Sequence, residues 1–167
     1  MRKIIALLLF ASIAGCQSAK DSFAFEKMTF HSGPCFGTCP SYHMEIRSDK
    51  TVLLKGDSLY SKRGTFDYGR VGRYTARLSD TTYARLLGEL RAMGLDTVRF
   101  QGPYCCDAPM KTMIVYYNGK RKYLRAMFPP GHARQLLATL HGIYARSAFT
   151  PSEQQFEIEL DSVPQRR

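Results

Sequence analysis

The sequence predicts an α+β fold, a two-layer sandwich in which an antiparallel sheet carries two helices on one face, built from two ββα repeats. Three observations predict it. Two segments carry apolar residues at helical spacing, several short segments alternate with period two, and breakers in one half recur 69 residues later in the other. Gly33, Pro34 and Pro40 are echoed by Gly102, Pro103 and Pro109, and Asp49-Lys50 is echoed by Asn118-Gly119. The helical stretches echo as well, ARLLGEL at 84–90 against ARQLLATL at 133–140.

The elements follow in order. Residues 26–31 read as a first strand and 33–40 as a loop. Residues 41–46 alternate, with Tyr42, Met44 and Ile46 on one face; 47–50 form a tight turn and 51–54 return. Residues 56–70 are rich in Gly, Ser, Asp and basic side chains and read as a long exposed connection, followed by a strand over 73–78. Ser79 is placed to cap a helix whose inner stripe is Tyr83, Leu86, Leu87, Leu90 and Met93, with Gly94 as its stop. A second hairpin spans 112–117 and 121–127 around Asn118-Gly119, among the strongest two-residue turn signals. After Pro129-Pro130-Gly131 a second helix turns Leu136, Leu137, Leu140, Ile143 and Tyr144 inward. Beyond Pro151 the chain is polar, with one alternating stretch at Phe156, Ile158 and Leu160, either frayed or an added edge strand.

The N-terminus carries an address. Arg2 and Lys3 precede an apolar run from Ile4 to Ala14, too short to span a bilayer, which reads as a secretory signal over residues 1–15. Ile13-Ala14-Gly15-Cys16 resembles the bacterial lipobox, which implies lipidation of Cys16, palmitate-type acylation of its new amine and a tether over 16–24. Gln17 is not the aspartate associated with inner-membrane retention, so the expected location is the outer membrane, lipid-anchored and facing the periplasm. Residues 25–150 are expected to form a single α+β domain, with a polar tail over 151–167. Removing the leader leaves 22 of the 24 basic residues against 14 acidic ones, a balance of +8. Such a charge attracts anionic partners, here lipid headgroups, lipopolysaccharide or acidic polymers, and the compartment argues against nucleic acid.

Four further cysteines, Cys35, Cys39, Cys105 and Cys106, read as a disulfide set in an exported chain. Cys35 can close on Cys39 if Gly37 lets the chain turn, with Pro40 then feeding a strand. Alternatively, one of the doublet reaches across to Cys35 or Cys39. A vicinal Cys105–Cys106 bond would be strained. A zinc site on all four is disfavoured because neighbouring cysteines do not easily share one metal. Thiol exchange expects a different spacing at a helix start.

The stretch CFGTCPSYHMEI, with Cys35, Gly37, Cys39, Pro40, Tyr42 and Ile46, followed downstream by Asp107-x-Pro109 ahead of a strand, resembles an uncharacterised bacterial domain found in lipoproteins, the domain of unknown function 6438. That resemblance covers about 25–148 and implies a fold but no reaction. Lys50 stands where the pattern expects a turn glycine, and Cys105-Cys106 where one cysteine is usual.

No catalytic set emerges. His31, His43, His132 and His141 are scattered, His43 is expected on the exposed side opposite Tyr42, and Asp107 lacks a visible partner. Neither a cofactor nor a metal is expected. Tyr60, Phe66, Tyr68 and Tyr74, interleaved with Lys62, Arg63, Arg70 and Arg73, form a basic-aromatic connection suited to binding, or else merely cover the sheet. The expected function is that of a lipid-anchored envelope module, non-enzymatic and held by disulfides, binding an unknown envelope protein or anionic component. The alternative is an envelope hydrolase or thiol-redox accessory enzyme.

Overall fold

The computed structural model of the protein describes residues 23–35, 39–58 and 71–160. The leader, Cys16, Gly37, Tyr60, Phe66, Tyr68 and Arg70 lie outside them. In chain order the elements are β1 (Phe25–Ser32), β2 (Ser41–Arg47), β3 (Thr51–Ser58), β4 (Gly72–Arg77), α1 (Asp80–Ala92), β5 (Lys111–Tyr117), β6 (Lys120–Ala126), α2 (Arg134–Arg146) and β7 (Thr150–Pro151). The strands form an open antiparallel sheet of order β6-β5-β1-β2-β3-β4-β7 with two helices, an α+β architecture. Strand β3 runs four residues further than expected, into what read as a polar connection, because β4 supplies a second partner through Lys55↔Arg73 and Gly56↔Gly72.

The central strand β1 is paired on both sides. Met28 of β1 faces Ile46 on one side and Val115 on the other, and Phe30 faces Met44 and Met113. The two hairpins therefore share one register on the central strand. They flank β1 as mirror-placed neighbours with their apolar residues on the same face, an arrangement that no rotation axis generates. Met28, Phe30, Tyr42, Met44, Ile46, Val52, Leu54, Met113 and Val115 share one buried cluster with Leu86, Leu90, Leu136 and Leu140 of the helices.

Both turns follow local chemistry. Asn118 (φ 50°) and Gly119 (φ 68°) take the left-handed pair of a two-residue hairpin loop. The β2–β3 loop has three residues, and its last, Lys50, is left-handed at φ 71°, where glycine would sit without a steric penalty. In α1 the Ser79 hydroxyl accepts from the Thr82 amide, and Gly94 (φ 64°) ends the helix. Helix α2 has no side-chain cap and is led in by a single 3-10 turn, Gly131–Ala133. Among the described residues no helix is long and apolar enough to cross a membrane.

The opposite side of the sheet mixes polar residues with Leu53 and Ile114, and it too is covered. Thr29, His43, Glu45 and Thr112 are exposed by 8% or less. The cover is the tail, which the sequence presented as frayed or an edge strand. Thr150–Pro151 do pair with β4, and the Ser152 amide then donates to Arg73 O. From there Phe156, Glu157 and Ile158 lie against Thr29, His31 and His43. Glu159 accepts from Lys27 Nζ at 3.1 Å and is bonded by Tyr116 and Arg121. From β4 to β5 is four strand steps, about 19 Å. The seven residues from 152 to 159 reach about 24 Å when extended, enough to cross.

Candidate functional site

The cysteine question resolves locally. Cys35 closes on Cys39 with their Cα atoms 5.5 Å apart, inside the range a disulfide accepts. Cys105 and Cys106 are free and exposed, so the cross-bridge is not formed. The β1–β5 pairing continues one step past the strands, since the Gly33 amide donates to Met110 O at 2.8 Å, while the doublet is exposed to solvent.

The other expected residues divide. Tyr42 is fully buried: its hydroxyl is 2.9 Å from His141 Nδ1, and its ring stacks on Tyr144 at 4.0 Å. Burial, then the nearby Tyr144, pushes its hydroxyl far above the ordinary range, and burial with Lys111 nearby lowers His141, so both groups stay neutral. Pro40 and Pro109 flank the strands β2 and β5, and Asp107 sits exposed beside the doublet. Of the expected basic-aromatic surface, Arg73 and Tyr74 lie among the described residues. Tyr74 pairs with Leu54 and packs on the core, whereas Arg73 pairs with Lys55 on the other side.

His43 does point away from Tyr42, but the tail buries it. Its ring stacks on His31 at 4.2 Å, and its Nε2 is 2.9 Å from Asp57 Oδ2. Burial lowers both histidines, His31 to about 4 with the neighbouring His43 adding to the effect. The pair is thus held neutral beneath Phe156 to Glu159, in a crevice of only about 10 Å³. Among the described residues no cluster of three or more His, Cys, Asp or Glu side chains is placed to hold a metal ion.

Two larger concavities lie among the described residues. One of about 300 Å³ lies between Phe23, Leu90, Asp96 and Tyr117. Its charges are already matched: Asp96 accepts from Lys120 and Tyr117, and Arg91 lies over the Phe23 ring. The other, about 240 Å³, lies between the start of α1 and the end of α2 and is lined by Arg77, Ser79, Thr82, Arg85, Thr139, Gly142, Arg146 and Ser147. Here the charge is unmatched. None of the three arginines has a carboxylate within ion-pair distance among the described residues, although Arg77 acts at longer range on Asp49 and Asp80. Asp80 is itself held by Lys50 at 2.8 Å.

Each wall of this pocket has a local cause. Arg77 ends β4 and Ser79 starts α1, so one guanidinium and a helix N-terminus arrive together. Arg85 projects from the polar face of α1. Arg146, in the last turn of α2, folds back over Gly142, where any Cβ would collide with its guanidinium. Ser79 Oγ donates to Thr82 Oγ1 at 3.0 Å, which leaves the Thr82 proton free to point into the cavity. On the far side, Thr139 donates to Glu89 Oε1, while Glu89 Oε2 is buried without a partner. Three guanidiniums and an oriented hydroxyl around one cavity suit a planar or tetrahedral oxyanion.

The chain matches one family over residues 26–144, a domain of unknown function (DUF6438). It belongs to that family. No curated protein is similar enough to count as a relative. The DUF6438 match takes in Arg77, Arg85 and Gly142 but stops short of Arg146 and of the tail that covers the histidines. Sequence reasoning missed the arginine pocket because its members come from three elements.

Proposed function

We propose that the mature protein is a lipid-anchored module of the outer membrane, facing the periplasm, that binds a phosphate-bearing anionic component of the envelope through Arg77, Arg85 and Arg146. The observation that carries the reading is the 240 Å³ cavity with three arginines that lack an ion-pair partner among the described residues. The lipobox-like Ile13-Ala14-Gly15-Cys16 and the basic balance of the mature chain support the anchor and the anionic environment. In this reading both helices form a second layer over the apolar face of the sheet, and the disulfide loop and the tail hold the sheet that positions β4 and α1.

Recognition here is by charge and shape without a reaction step. The guanidiniums are exposed, so affinity is moderate and falls with salt, since charges at the surface are screened over about 8 Å at physiological ionic strength. The test is sedimentation of the soluble mature chain with vesicles of phosphatidylglycerol, compared with phosphatidylcholine and with free inorganic phosphate as competitor. Arginine-dependent binding to the anionic vesicles, displaced by phosphate, is expected. Equal retention on both vesicles, or no loss on changing all three arginines to alanine, overturns the binding reading. For the anchor, Cys16→Ser is expected to release the full chain to the soluble fraction, and continued membrane retention contradicts it.

A further inference from the structure

His31 and His43 form a titratable pair that the arginine pocket does not use. Their rings stack at 4.2 Å beneath Phe156, Glu157, Ile158 and Glu159 of the tail. The crevice left between them is about 10 Å³, room for one water at most. His31 Nδ1 lies 3.2 Å from Tyr42 O; a carbonyl only accepts, so Nδ1 carries the proton of the neutral ring and a second proton must enter at Nε2. His43 Nε2 lies 2.9 Å from Asp57 Oδ2, and the other oxygen of Asp57 is already 2.8 Å from Lys55 Nζ.

The charges around the pair come from every neighbouring element. Lys27 lies further along β1, and Glu45 on β2 is taken by Lys27 and Arg47. Strand β3 supplies Lys55 and Asp57, β5 places the uncharged Thr112 opposite His31, and β6 places Arg125 opposite Thr112. The tail brings Glu157 and Glu159, the latter bonded to Lys27, Tyr116 and Arg121. Burial lowers both rings; His43 and Arg125 add to this at His31 and Lys55 at His43, while Asp57 opposes it at both. Two charged rings in contact would therefore share one carboxylate that a lysine already holds.

We propose that the tail, residues 152–160, is an acid-released strap, expelled from the sheet when the stacked His31 and His43 take up protons while the rest of the fold stands. Its fastenings are few. The Ser152 amide donates to Arg73 O at one end, Glu159 is held at the other, and Ile158 between them is 38% exposed. In the strapped state the rings resist protons, and once in water they return to the ordinary value of about 6.5. The released form thus binds more protons, so acid drives release, by up to about a hundredfold per unit of pH for two rings. Burial raises Glu159, but its bonds to Tyr116 and Lys27 outweigh this and keep it ionised, so the histidines act first.

The chain has no tryptophan, so Phe156→Trp places a single reporter in the strap of the mature protein. Its emission is followed from about pH 7.5 to about 4.5 beside the far-UV circular dichroism. A red shift with greater acrylamide quenching, an unchanged far-UV signal and recovery on neutralisation are expected. Ile158→Trp repeats the reading with the Phe156 ring in place. The His31→Gln/His43→Gln background should keep the emission of the strapped form throughout. Asp57→Asn should move the midpoint to higher pH, because the strapped form loses the carboxylate that offsets the ring charges. Unchanged emission from both reporters, a shift that coincides with loss of the far-UV signal, or a shift retained in the double variant overturns the proposal.

Discussion

Replacing Gly142 by alanine separates stability from binding. Gly142 is buried in α2, and a Cβ there meets only atoms of Arg146, the guanidinium carbon at 3.1 Å and one terminal nitrogen closer still. The obstruction is the far end of a flexible side chain, so Arg146 swings away and the backbone stays. A mid-helix glycine is about 1 kcal/mol less favourable than alanine. The Gly142→Ala chain should therefore melt about 2–4 °C higher. The same substitution removes one guanidinium from the pocket. An exposed charge contact is worth up to about 1 kcal/mol, so phosphate binding should weaken by roughly fivefold. Differential scanning calorimetry and calorimetric titration with phosphate at low salt read the two effects. Arg146→Ala should reproduce the weaker binding without the gain in melting temperature. If Gly142→Ala binds phosphate like the wild type while melting higher, Arg146 takes no part and the reasoning fails.

Other expectations follow from the same packing. Tyr42→Phe leaves His141 Nδ1 buried without its 2.9 Å partner, a loss of about 1–3 kcal/mol visible as a lower melting temperature; no change would contradict the pairing. Lys50→Gly relieves a left-handed side chain and should raise stability by about 1 kcal/mol, whereas destabilisation would show that the Lys50–Asp80 contact matters more. Burial lowers His31, His43 and His141 in the fold, so the unfolded chain binds more protons and stability falls as pH drops below the ordinary 6.5. For His31 that fall continues to about 4, and a melting temperature flat from pH 7 to about 5 would refute it. Burial raises Glu159, but its bonds to Tyr116 and Lys27 and the charges of Lys27 and Arg121 outweigh this and hold it ionised. Glu159→Ala should loosen the tail and speed amide exchange beneath it at His43; unchanged exchange would mean that the apolar tail residues suffice.

Most of the fold was legible because its signals are local. Ser79 and Gly94 bracket α1, Asn118-Gly119 sets a hairpin, and alternation placed Tyr42, Met44 and Ile46 inward. What escaped was non-local. Alternation put His43 on the side away from the core, but nothing in its neighbourhood announces a tail segment more than 100 residues later that buries it. The choice between Cys39 and the doublet as partner of Cys35 depended on a turn, not on spacing. The pocket arginines look like ordinary surface charge until α1 and α2 bring them to one cavity.

Titration of the soluble mature chain with inorganic phosphate, run beside the Arg77→Ala/Arg85→Ala/Arg146→Ala variant, tests the binding claim most directly. The account predicts saturable, salt-sensitive binding of one phosphate per chain that the triple variant loses while it keeps the wild-type melting temperature. Binding of the same strength in the triple variant, or none in the wild type at low salt, would contradict it.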